Sequence, residues 1–429
     1  MSYLSELLPS TKDYANFKQV WRHDVFAGIT VGIVALPLAL AFGITTGVGA
    51  RAGLITAIYA GVIAAIFGGS NYQVSGPTGA MTVVLVPIVI KYGPGSLAPL
   101  GLAAGIIVVL MGITHCGGII KRVPWPVMEG FTLGIAIVIA MQQLPSVFAS
   151  RTVDGPNTLI TAWRTLQHAI SAGTHWVSLV VMVFTLVIKF SYPKISKIVK
   201  TKVHIPASFI AITVSTVVVT AFKLNTPMIG ELPRSLFVHT SLTSSHIGLS
   251  ALAIGAVEIA FLAALESLLS ARVADQMVHI KESNLSYKPN RELVGQGLAT
   301  MVSSFVGGMP ATGAIARTSV NIRSKAASRI SAITHAGFLV LVVLVLGPVI
   351  SHIPTAALGA VLIGTCYRIA SPANLKELLR TTRLDAATLL ITALLVVVIG
   401  LIWAIAVSTA GYFLITTFTT WRRRDRENF

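Results

Sequence analysis

Two stretches carry residue types that could hold an anion with backbone dipoles and hydroxyls instead of formal charge. In Ser75–Met81, Thr78, Gly79 and Ala80 follow Pro77; in Gly307–Arg317, Thr312, Gly313 and Ala314 come just past Pro310. Each lies at or after a glycine pair, Gly68-Gly69 or Gly307-Gly308, inside long apolar sequence. A helix restarted within a bilayer presents free N–H groups and the positive end of its dipole. Small side chains let an anion reach that backbone, and each threonine adds a hydroxyl. Glycine and proline also kink packed helices that bind nothing. A matched pair in two halves of a membrane chain is a stronger signal and points to a transport site.

Two carboxylates sit in apolar sequence, Glu258 and Glu266, on what reads as one helix. An ionised carboxylate costs several kcal/mol at mid-bilayer, so each must be protonated, paired or turned to a polar cavity. Glu266 and Ser270 are i,i+4 neighbours on one face. Glu258 is about 12 Å from Glu266 along the axis. Such groups can carry protons; alternatively Glu266 is structural, paired with Arg317 or a serine. Arg317, five residues past Thr312, could attract an anion from a distance or pair with Glu266, Glu129 or Glu292, and the structural pair is expected.

The elements that must position these groups are membrane spans. Apolar residues make up 54% of the chain and charged residues 11%, against about 25% charged in ordinary soluble domains. Runs of about 20 apolar residues predict a polytopic α-helical membrane protein and exclude the alternating strands of a β-barrel. The first 24 residues are polar and the apolar run after them is a full span, so no cleavable signal is read. Residues 25–222 hold seven segments, 223–248 form a polar linker, 249–421 hold seven more, and 422–429 are a basic tail. Segments 3 and 10 are the broken half-helices. A surface helix is expected within the loop 145–174, around Asn157–Ile170, and another over 372–383.

With the N-terminus cytoplasmic, inside loops hold 25 of the 32 lysines and arginines, the bias of the positive-inside rule. The net charge of +17 is therefore read as topology and attraction to anionic lipid, with no nucleic-acid partner. Seven segments per half make the repeat inverted. The expected location is the inner (plasma) membrane with both termini cytoplasmic. Cys116 and Cys366 fit no disulfide or metal framework, and no histidine cluster, phosphate loop or catalytic set is present. Ser75-Gly76 is too weak a signal for an intramembrane protease. No enzyme, cofactor or metal is expected.

Several features together resemble the sulfate permease family, the bacterial side of the solute-carrier 26 anion transporters. They are the seven-plus-seven plan, the Pro37–Phe42 element, Gly76-Pro77-Thr78-Gly79, Glu266–Ser270 and the run Asn290–Gly297. The likeness covers about residues 15–421. It implies a core domain (segments 1–4 and 8–11) moving against a gate domain (5–7 and 12–14) in an elevator-like step. It also implies a substrate between segments 3 and 10, beside segments 1 and 8, which adds Ala41 and Phe42 to the site. Many members carry glutamine where Leu38 stands. Sodium-dependent bicarbonate members have aspartate at the place of Glu266 and threonine at those of Ser270 and Ile315. These departures argue for protons over sodium. The family's C-terminal STAS domain is absent from these 429 residues.

The expected function is proton-coupled symport of sulfate or bicarbonate, with Glu266 as proton carrier and a homodimer as the assembly. Rivals are sodium–bicarbonate symport, dicarboxylate– or nucleobase–proton symport on the same fold, and a passive anion channel or sensor. The nucleobase reading wants a carboxylate on segment 10, which offers Thr312 and Arg317 instead.

Overall fold

In a bilayer the backbone must satisfy its own hydrogen bonds, so the long apolar runs become helices. The computed structural model describes residues 6–14, 17–118, 123–155, 157–173, 175–198, 205–230, 247–278, 286–370 and 382–427. The first half contains α1 (Phe17–Thr45), α2 (Ala50–Phe67), strand β1 (Ser75–Gly76), α3 (Gly79–Tyr92) and α4 (Leu97–Ile113). It continues with α5 (Trp125–Gln142), the short α6 (Leu144–Phe148), α7 (Thr158–Ser171), α8 (Trp176–Ile198) and α9 (Ala207–Ala221). The second half contains α10 (Leu249–Val278), α11 (Pro289–Phe305), β2 (Thr312–Gly313) and α12 (Ile315–Arg323). It ends with α13 (Ile330–Ile350), α14 (Thr355–Ile369), α15 (Arg383–Ile399) and α16 (Leu401–Glu427).

The protein is an all-α polytopic membrane protein. Helices stand at the positions of the expected segments. Among the described residues, eight are long and apolar enough for a full crossing, while α3, α9 and α14 are shorter apolar helices. The surface helix expected near Asn157–Ile170 is α7. The helix expected over 372–383 lies largely outside the described residues, as do 231–246 of the linker. The last two expected spans are parted by one residue, Gly400, whose φ of +91° suits glycine and lets the chain turn between α15 and α16.

Two sets of helices pack among themselves. α11 lies against α4 and α2, α13 against α1 and α2, and α10 against α4. At the α4–α11 contact a side chain on Gly105 or Gly297 would run into the facing backbone, so small residues allow that approach. In the other set, α15 packs on α5 and α16, α14 on α8 and α5, and α9 on α8. Lys189 is buried in α8 and donates to the Val361 carbonyl and the Thr365 hydroxyl of α14. A buried ammonium needs such partners, and the carbonyl it takes is on the adjacent helix.

The N-terminal segment is tied to the first set. Asp13 pairs with Arg291 at 2.7 Å and with Arg329 at 3.7 Å. Asp24 accepts from the N–H groups of Ala327 (2.7 Å) and Ser328 (3.1 Å).

Candidate functional site

The two interrupted segments meet. β1 and β2 pair antiparallel, with Ser75 opposite Gly313 and Gly76 opposite Thr312. That ladder brings the first half's helix start beside the second half's. α3 begins at Gly79 with Thr78 as its N-cap in extended conformation, its hydroxyl accepting from Met81 N–H at 3.4 Å. Gly79 and Ala80 therefore present first-turn N–H groups that no helical carbonyl can satisfy.

The second start differs from the expectation. Thr312 and Gly313 belong to β2, Ala314 is the N-cap, and α12 starts at Ile315. The Gly313 N–H donates to Ser267 Oγ and the Ala314 N–H to the Val74 carbonyl, each at 3.0 Å. Pairing with β1 holds residues 312–313 extended, so the helix begins later and these two N–H groups are already committed. The two starts are thus not equivalent.

Between them stands Glu266 of α10. Its Oε2 accepts from the Thr78 hydroxyl at 2.8 Å and the Thr312 hydroxyl at 2.6 Å, and the two hydroxyl oxygens are 2.9 Å apart. Thr78 and Thr312 are buried, while Glu266 keeps some accessible surface. Phe42 packs its ring edge on Gly79, and Ala41 is buried beside it in α1. Ser270 turns to Thr318, 3.2 Å between hydroxyls, and not to the Glu266 carboxylate. Glu258 is not brought to this cluster. It lines a cavity of about 290 Å³ with Gln142, Asp154 and Asn157.

Arg317 corrects another expectation. Among the described residues it makes no ion pair with Glu266, Glu129 or Glu292; its Nη2 donates to the Pro77 carbonyl at 2.8 Å. The interruption before α3 leaves that carbonyl without a helical partner, and the guanidinium takes it. Glu292 is engaged elsewhere, accepting from Gly69 N–H (2.8 Å), Ser70 N–H (3.0 Å) and the Gln73 amide (2.7 Å).

A stripe on α11, which the sequence reading above does not include in the site, supports both unwound segments. Glu292 holds the chain before β1, Gln296 bonds Ser75 (2.8 Å) and the Ala311 carbonyl (2.9 Å), and Thr300 also reaches Ala311 (3.0 Å). Ser303 bonds the Met309 carbonyl at 2.9 Å. The signal was available: polar residues four, four and three apart share one helix face in a span otherwise short of charge.

The arrangement offers two free N–H groups, two hydroxyls and one carboxylate at the junction of the halves. The sulfate permease family model matches residues 21–392. The Bacillus subtilis (strain 168) protein named "Putative sulfate transporter YvdB" is 36% identical over 393 residues, covering 89% of this chain and 72% of that protein. Bicarbonate transporter BicA of Picosynechococcus sp. is 29% identical over 430 residues, covering 95% and 71%. Among solved structures, the transmembrane domain of a cyanobacterium bicarbonate transporter BicA superposes with a TM-score of 0.81 at 25% identity, covering 91% of this chain and 98% of that one. SLC26A9 shares the fold, with a TM-score of 0.83 at 17% identity over 97% and 69% of the two chains.

Proposed function

This chain belongs to the sulfate permease family, and we propose that it is a proton-coupled symporter of a small inorganic anion, sulfate or bicarbonate, with Glu266 carrying the proton. The observation that carries this is the triangle of Thr78, Thr312 and Glu266 Oε2. Two hydroxyls supply two hydrogens, yet the triangle has three oxygen–oxygen contacts of 2.6–2.9 Å. All three are filled only when the carboxyl brings a third hydrogen. An ionised Glu266 leaves one of the three contacts with no hydrogen in it.

The anion is bound at the Gly79 and Ala80 N–H groups, beside the same oxygen cluster. A negative charge there and an ionised Glu266 repel each other, so anion binding favours the protonated carboxyl and proton and anion move together. Movement is a displacement of the helices that carry α3 and α12 against the set built on α5, α8, α14 and α15, the elevator-like step. Two packed sets of helices favour it. The names of the sulfate and bicarbonate relatives support the substrate class, and the charge pattern supports cytoplasmic termini in a plasma membrane; the proposed assembly is a homodimer.

The test is uptake of labelled sulfate, bicarbonate and fumarate into proteoliposomes under imposed proton or sodium gradients. A proton gradient is expected to drive accumulation of one inorganic anion, undiminished when choline replaces sodium. Glu266→Gln is expected to lose proton-driven accumulation while still binding the anion. A sodium requirement, or unchanged proton dependence in Glu266→Gln, overturns the proposal.

A further inference from the structure

The Gly79 backbone at the start of α3 is covered, in part by a side chain of the other helix set. A side chain built on Gly79 would fall on Ile139 Cδ1, with Phe42 Cε1 at 3.4 Å. Ile139, on α5, is 5% exposed and Phe42, on α1, is 8% exposed. Their contact with the Gly79 backbone occupies the approach an anion would use.

Two adjoining cavities lie just beyond this layer. One, of about 290 Å³, is lined by Val83 and Gln142; the other, of about 330 Å³, by Thr45 and Gln142. Both also include Val86 and Ile90. On two helices the lining starts one turn past the covering layer, Val83 after Gly79 on α3 and Gln142 after Ile139 on α5, while on α1 it starts two residues past Phe42, at Ile44. Along α3 and α5, Gly79 and Ile139 therefore lie between the crevice and the Thr78–Thr312–Glu266 cluster. The charge bias puts this crevice on the outer face, where α3 ends at Lys91 and Tyr92.

We propose that Ile139 is the outer gate of the anion path, a residue whose seat on Gly79 excludes the anion from that side. This rests on the anion site proposed above. Ile139 and an anion cannot both contact the Gly79 backbone, so shifting α5 relative to α3 exchanges one for the other. Gly79 has no side chain to keep them apart, which lets the gate close on the helix start itself.

The test compares Ile139→Ala, Ile139→Val and Ile139→Trp in proteoliposomes with Val138→Ala, a loss of volume at a buried neighbour on the same helix. Gradient-independent anion efflux is expected to rise about tenfold in Ile139→Ala, less in Ile139→Val, and not in Val138→Ala. Ile139→Trp is expected to remain monodisperse and stop uptake. A second readout is labelling of Ala80→Cys from the crevice side by a membrane-impermeant thiosulfonate, expected to be faster with Ile139→Ala than without it. Equal efflux in Ile139→Ala and Val138→Ala together with unchanged labelling overturns the gate. Wild-type protein that moves no anion while the labelling still responds overturns the transport assignment and leaves the gate standing.

Discussion

The hydroxyl oxygens of Thr78 and Thr312, 234 positions apart in the chain, stand 2.9 Å from each other and share one oxygen of Glu266. Neither half of the molecule can make this cluster alone. Its geometry depends on the β1–β2 ladder and on the Gly313 N–H seated on Ser267. A displacement that parts the halves therefore also breaks up the oxygen cluster around the carboxyl.

The two threonines should not respond alike to substitution. Thr78 both contacts Glu266 and caps α3, whereas Thr312 lies in a strand and has no cap to lose. Thr78→Val is expected to cost about 1 kcal/mol more stability than Thr312→Val, seen as a lower unfolding temperature in detergent. Both should lose proton-driven uptake, and serine at either position should restore it. A Thr312→Val protein as unstable as Thr78→Val would show that the cap contributes nothing.

Gly76 is predicted to be intolerant of even a methyl group, for reasons of space. A side chain there would strike Arg317 Nη1 and approach the Ala57 backbone. Gly76→Ala should push the guanidinium off the Pro77 carbonyl and destabilise by about 1–3 kcal/mol. Arg317→Lys should be milder in stability, since a lysine can still reach one carbonyl, but should weaken anion affinity because α3 loses its fixed start. Thermal unfolding and equilibrium anion binding separate the two effects; wild-type values of both in Gly76→Ala would rule out the contact.

What could be read from residue order, and what could not, divides along physical lines. The helices and the paired Thr-Gly-Ala breaks were legible because apolar length, proline and glycine act locally. The second start is not legible locally, because residues 312–313 are held extended by pairing with residues 75–76, a contact no local pattern announces. Charges are visible in a sequence and point Arg317 to a carboxylate, whereas the Pro77 carbonyl it takes is not visible there. Ile139 gave no signal at all, one apolar residue in an apolar span. The supporting stripe from Glu292 to Ser303 was legible in its spacing, although its partners are mostly backbone atoms of distant segments.

Acid should release the N-terminal segment only well below neutral pH. Burial raises the Asp13 pKa, but hydrogen bonds from Arg291 and Ser10 and the charges of Arg329 and Arg291 outweigh it and hold the carboxyl below its ordinary value. A carboxylate depressed in the folded state contributes stability that is complete above its unfolded pKa of about 4 and is lost as pH falls through the folded value. Asp13→Asn is thus expected to be less stable than wild type by about 1–3 kcal/mol at pH 7. The gap should hold from pH 8 to 5 and narrow below about pH 4. A gap that shrinks between pH 8 and 6 would mean the difference comes from another group.

His335 offers a test of how dry the region behind the site is. It lies on α13, is 0% exposed, and neither ring nitrogen has a hydrogen-bond partner among the described residues. Its Nδ1 faces the small Gly61 of α2, where a side chain would come within 3.6 Å. A buried polar group left unsatisfied costs about 1–3 kcal/mol, and an apolar group of similar shape removes that cost. His335→Leu is therefore expected to raise the unfolding temperature and leave anion uptake intact, since the imidazole touches no part of the oxygen cluster. A lower unfolding temperature would instead mean that ordered water satisfies the ring, and exchange of such water would then be measurable by radical footprinting at His335. A stability gain accompanied by loss of uptake would give the imidazole a part in transport that its static contacts do not supply.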